Sequence, residues 1–224
     1  MKFISVVFLS GLVFSGSSFA TLLDFNATSL GVSSSTAYNS VSLSEDGIAV
    51  DVTAYTIENN GLGVINSLSP LSTAGLGVYV SGSNNLGVKS ALSGDGSKMD
   101  GGSDPSDLDE GLLFTFDQVV SLDYINFDNF GSGDDFNLTV DGVTLVVDFS
   151  GSDASPYASQ VSGQFDEYNF SGVTGTEFLF WVDSDSDSFK IDRMEVSAVP
   201  EPSILALFGL GLVGLGFGSR KRQA

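Results

Sequence analysis

The 224-residue chain has no cysteine and no histidine, and only eight basic side chains against 28 acidic ones. Without cysteine there is no disulfide framework, no thiolate nucleophile and no iron–sulfur cluster. Without histidine there is no Ser-His-Asp triad and no ordinary zinc enzyme site. A net charge of −20 denies the chain the basic face that nucleic-acid binding requires, so no nucleic-acid partner is expected. A disordered acidic tail is also excluded, because 42% of the residues are hydrophobic and 18 are Phe, enough aromatic mass for one core.

The two ends read as targeting segments. Lys2 is followed by an apolar run from Phe3 to Phe14 and then by Ser18-Phe19-Ala20. A positive start, a short apolar stretch and small residues in that order make 1–20 a secretory signal peptide with cleavage after Ala20. At the other end, 199–224 begins Val199-Pro200-Glu201-Pro202, continues through an apolar stretch at 203–219, and closes on Arg220-Lys221-Arg222. Seventeen helical residues span roughly 25 Å, the short limit for a bilayer. Proline is tolerated at the first helical turn but not inside, so Pro202 marks the start of a transmembrane helix at 203–219. The basic triplet acts as a stop that stays cytoplasmic and leaves the body outside, in agreement with the signal peptide.

The order Pro200-Glu201-Pro202, Gly-rich apolar helix, Arg/Lys cluster resembles the PEP-CTERM sorting signal, also known as an ice-binding protein C-terminal domain. The second label says nothing of this body, which has no regular Thr-x-Thr repeat. The resemblance implies export across the inner membrane of a Gram-negative bacterium as a membrane-anchored precursor. It also implies recognition by an exosortase-like membrane protease that cuts near the motif, and a mature form at the cell surface or outside the cell. Association with extracellular polysaccharide follows from the same family.

The body, 21–198, is more acidic than the whole, with 27 acids against Lys89, Lys98, Lys190 and Arg193. Repulsion on that scale weakens a compact state unless cations screen or bind it. Alternation dominates its pattern. Ile48, Val50, Val52 and Ala54 form one apolar set, Phe136, Leu138 and Val140 a second, and Val143, Leu145, Val147 and Phe149 a third. Asp141-Gly142 between the last two is a strong hairpin signal. Further strands are expected at 76–80, 112–119, 122–128, 177–182 and 189–197. Residues 28–45 and 93–110 are polar enough to be loops. No helical stripe occurs, so the expected fold is all-β: a two-sheet β-sandwich, jelly-roll-like.

The densest oxygen-donor run is 95–110, with Asp95, Asp100, Asp104, Asp107, Asp109 and Glu110. Ca²⁺ takes six to eight such oxygens, which makes Asp100, Asp109 and Glu110 the candidate ligands of a structural Ca²⁺. Asp183-Ser-Asp-Ser-Asp187 imitates the opening of an EF-hand loop, but its sixth position is Ser188 and its twelfth Met194, so it reads as an acidic turn between strands. Asp134-Asp135 reads as loop charge. No pair among so many carboxylates stands out as a glycosidase acid and nucleophile, and no enzyme is expected. Trp181, inside the apolar run Phe178–Val182, is expected in the core. The function expected is that of a non-enzymatic surface or matrix protein, with a carbohydrate-binding module and, behind it, a secreted polysaccharide hydrolase as alternatives.

Overall fold

The computed structural model describes residues 19–60, 63–73, 75–82, 85–91, 97–101, 108–150, 155–184 and 186–200. The signal segment before Phe19, the proposed helix 203–219, Glu201, Pro202 and Arg220-Lys221-Arg222 lie outside them, as do Asp95, Asp104, Asp107 and Asp185. Residues Phe19–Val199 form one compact unit.

The described residues contain no helix. The strands run in chain order as β1 (Ala20–Asp24), β2 (Thr36–Tyr38), β3 (Ser40–Glu45), β4 (Ile48–Asn59), β5 (Ile65–Pro70), β6 (Gly77–Val80), β7 (Leu86–Lys89) and β8 (Met99–Asp100). They continue as β9 (Asp109–Asp128), β10 (Phe136–Val140), β11 (Val143–Phe149), β12 (Ala158–Gln160), β13 (Glu167–Phe170), β14 (Thr174–Trp181) and β15 (Ser188–Ala198). The fold is all-β, as the alternation requires.

In place of two separate sheets, the ladders join into one hydrogen-bonded path, β11-β10-β14-β9-β15-β7-β6-β2, with the remaining strands attached beside it. The cause is β9. The sequence suggests two strands at 112–119 and 122–128, yet the chain stays extended through Asp117–Ser121 and β9 runs for 20 residues. Its first half pairs with β4 and β14, and its second half with β15 and β13. Asp117 helps hold the middle, accepting a hydrogen bond from Ala49 N–H at 3.1 Å.

Residues 28–35 form turns as expected of a loop, but 36–45 carry β2 and β3 instead. Val41 and Leu43 point inward along β3, which pairs with β4 from Glu45↔Ile48 to Ser40↔Thr53. Asp46-Gly47 closes that hairpin with φ of 49° and 81°, and Asp141-Gly142 closes β10–β11 with 47° and 80°. Both are the left-handed pairs that a tight hairpin demands. The first was as visible in the sequence as the second. Likewise β8 and the start of β9 fall within the stretch 93–110.

The core is aromatic. The Phe127 ring meets Phe189 at 4.7 Å, Phe130 and Phe136 at 5.1 Å, Tyr168 at 5.7 Å and Phe180 at 6.1 Å. Phe130 stacks on Phe127 and the other rings meet it tilted or edge-on, arrangements that suit the ring quadrupoles as well as removing apolar area from water. Trp181 is buried as expected, but on the opposite face of β14 from Phe180, against Ile57 and Leu179. Its indole N–H donates to Thr139 Oγ1 at 3.3 Å.

Candidate metal centre

Three carboxylates from distant parts of the chain meet where β11 and β14 end and β10 begins. Ligand oxygens of Asp135, Asp148 and Asp183 all lie within 4.8 Å of one another. Asp135 and Asp183 are half-buried, while Asp148 is exposed.

Each is placed by an identifiable local feature. Asp135 immediately precedes β10, and its N–H donates to Asp187 Oδ1 at 3.2 Å. Asp183 follows β14 at the head of a turn closed by Asp187 N–H to Ser184 O, 3.1 Å. Asp148 sits in a bulge. Phe136 pairs with Phe149 and Leu138 with Val146, so Val147 and Asp148 together oppose Asn137. Asp148 takes a left-handed backbone, φ 47°, a conformation Asp tolerates better than most residues. Its N–H donates to Asn137 Oδ1 at 3.2 Å. A bulge re-aims the side chain it carries, and here it delivers Asp148 to the other two carboxylates. It also shifts the phase of β11. Of the alternating set Val143, Leu145, Val147, Phe149, Phe149 is buried and Leu145 packs partly buried against the core, while Val146 turns inward and Val143 and Val147 are exposed.

Two fully buried polar side chains flank the group. Asn137 is 0% exposed and Asp187 1%. Asn137 Nδ2 and Asp187 Oδ2 have no hydrogen-bond partner. Asn137 lies close enough to Asp183 to favour its anion, though outside ordinary hydrogen-bond geometry. Burial, then the charge of Asp148, pushes the Asp183 carboxyl up to about 6, with Asn137 opposing and Asp135 adding. Burial also pushes Asp187 up to about 6; hydrogen bonds from Asp135 pull it down, and the charges of Asp134 and Asp183 raise it. A basic side chain near this end is Lys98, whose Nζ donates to Ser188 Oγ at 3.1 Å.

The sequence-derived ligands Asp100, Asp109 and Glu110 converge on the same end of the sheet, in different surroundings. Asp100 pairs with Ser188 through β8–β15, and its N–H donates to Glu110 Oε2 at 3.1 Å. A Cβ on neighbouring Gly101 would collide with the Ser184 backbone, so only glycine lets this segment rest on the 183–187 turn. Asp109, 2% exposed, accepts a hydrogen bond from Asn59 Nδ2 across the β4–β9 pair. Asp135 and Asp183, read as loop and turn charge, belong instead to the trio. Asp148 was hidden because it looks like an ordinary outward residue of β11. The break in alternation at Val146-Val147 is the one local signal of the bulge.

Chemically, three converging carboxylates must share protons or hold a cation. An all-oxygen set without histidine or thiolate suits hard ions such as Ca²⁺ and Mg²⁺ over zinc or copper.

Beyond this domain lies the tail. A family model, the PEP-CTERM protein-sorting motif, matches residues 198–223. The chain carries a PEP-CTERM sorting motif. The motif implies export, a membrane-anchored sorting signal and recognition by an exosortase membrane enzyme. No curated protein and no solved structure matches the chain.

Proposed function

We propose that the protein is a non-enzymatic surface or extracellular-matrix component of a Gram-negative bacterium. It is exported through the segment 1–20, held at the inner membrane by a helix at 203–219, and processed near Pro200-Glu201-Pro202 by an exosortase-like enzyme. Its mature form associates with extracellular polysaccharide. The domain is a sandwich in which the two halves of β9 belong to facing layers, a reading supported by ring contacts of Phe127 with Phe180 and Phe136.

The match of the sorting motif to 198–223 carries the proposal. The domain's own hydrogen bonds support it. The β15 ladder ends at Ala198↔Val120, and Val199 N–H to Val119 O, 3.0 Å, follows. Pro200 is exposed. A cut beyond it would remove none of these bonds. Signal cleavage after Ala20 would leave Thr21–Asp24 of β1 paired to β15.

Intact mass of the protein recovered from cells tests this. The expected mature chain begins at Thr21 and lacks the residues beyond the motif, and deletion of Arg220-Lys221-Arg222 leaves the tail uncut. A full-length chain in the cytoplasm, with neither end removed, would contradict it.

A further inference from the structure

We propose that Asp135, Asp148 and Asp183, together with the free oxygen of Asp187, bind one hard divalent cation, Ca²⁺ being the best match. The site goes beyond the sorting role and lies outside the matched motif. Three features argue for it. First, the carboxylates come from three separate connections and are brought within 4.8 Å, a packing of like charge that nothing in β-strand formation requires.

Second, Asp187 is 1% exposed and keeps one oxygen without a donor. Its other oxygen holds the N–H of Asp135, and its carboxylate feels the charge of Asp183. Asp187 therefore adjoins the trio through Asp135. A buried carboxylate oxygen cut off from water and from donors is a cost that a cation removes.

Third, the second layer is built. Asn137, fully buried, holds Asp148 N–H in the bulge and stands beside Asp183, so the backbone that carries the most exposed carboxylate is held while the carboxylate remains reachable from solvent. Ligands fixed by such partners bind more tightly than mobile ones. The donors are all oxygens on irregular strand ends. Ca²⁺ accepts that variety and either mode of carboxylate coordination, whereas Mg²⁺ demands a near-ideal octahedron. Extracellular Ca²⁺ modules bind at roughly 10⁻⁴–10⁻³ M, the range expected here. Physiological loading rests on export; binding in vitro does not, so the two readings fail separately.

The lone Trp181 supplies a local probe, since it pairs with Asn137 and lies two residues before Asp183. The full chain in mild detergent, stripped by chelator, is titrated with Tb³⁺ while luminescence is excited through tryptophan. Saturable emission at one ion per chain is expected, displaced by Ca²⁺. Asp148→Asn should weaken Ca²⁺ competition at least about tenfold. Asn accepts the left-handed backbone of the bulge, so the variant keeps the fold, as circular dichroism would verify. Asp183→Asn should show the same loss. Asp46→Asn is the matched control, also exposed and left-handed but in the β3–β4 turn, and should leave competition unchanged. The proposal is overturned by absence of saturable emission at millimolar ion, by equal weakening in the control, or by unchanged competition in both site variants.

Discussion

The acidic run at 95–110 and the trio Asp135, Asp148 and Asp183 solve the same problem in opposite ways. The run is dense in sequence, and its described members, which gather at one end of the sheet, are engaged there by β-structure. Asp109 and Glu110 enter the buried start of β9, where Asn59 and the Asp100 N–H provide for them. The trio is sparse in sequence and dense in space, because the ends of three antiparallel strands coincide and a bulge turns one more carboxylate toward them. Local acid density therefore says little about where charge accumulates in a β domain. The register of the ladders decides it.

The largest expected effect sharpens that contrast. Asp109→Ala removes the buried carboxylate that accepts from Asn59 Nδ2 and should cost about 2–3 kcal/mol of stability in urea denaturation. The loss should be the same in Ca²⁺ and in EDTA. A loss seen only with Ca²⁺ would turn Asp109 into a ligand and reverse the comparison.

An intermediate effect concerns pH. Asp183 and Asp187 have folded pKa values raised to about 6 from 3.8. Between those values the folded state keeps protons that the unfolded chain has lost. Stability is therefore greatest below about pH 4 as far as these groups are concerned, falls as pH rises to about 6, and is flat above. The fall should be roughly 1–3 kcal/mol for the coupled pair in EDTA. The flanking groups Asp134, Asp135 and Asp148 tune its midpoint. Ca²⁺ should flatten the slope, because a bound cation replaces the protons. An unchanged slope at saturating Ca²⁺ would separate the trio from cation binding.

The smallest effect has the opposite sign. Asp148→Asn in EDTA should raise stability by about 0.3 kcal/mol by relieving repulsion at an exposed position. With Ca²⁺ present the same change should lower the melting temperature. A loss in both conditions would make Asp148 a structural residue like Asp109.

Much of the fold was legible. Alternation located β4 and β10, strand-favouring composition located β15, and Asp141-Gly142 located a hairpin. β3 was missed because Ser40, Ser42 and Ser44 on its outer face mask the inward Val41 and Leu43. β9 reads as two strands with a gap at Val120-Ser121, yet in the fold those two residues pair with β14 and β15 and keep the chain extended. The tail was readable because a proline pair, an apolar stretch and a basic stop are local features. The trio was not, since its three members are assembled by strand register and a bulge that no short stretch of sequence encodes.

Anomalous diffraction from crystals of the mature protein grown with Tb³⁺ would test the central claim most directly. One anomalous peak is expected, bounded by the carboxylates of Asp135, Asp148 and Asp183 with Asp187 at its edge. A peak at Asp100 and Glu110 instead, or none at the strand ends, would contradict it.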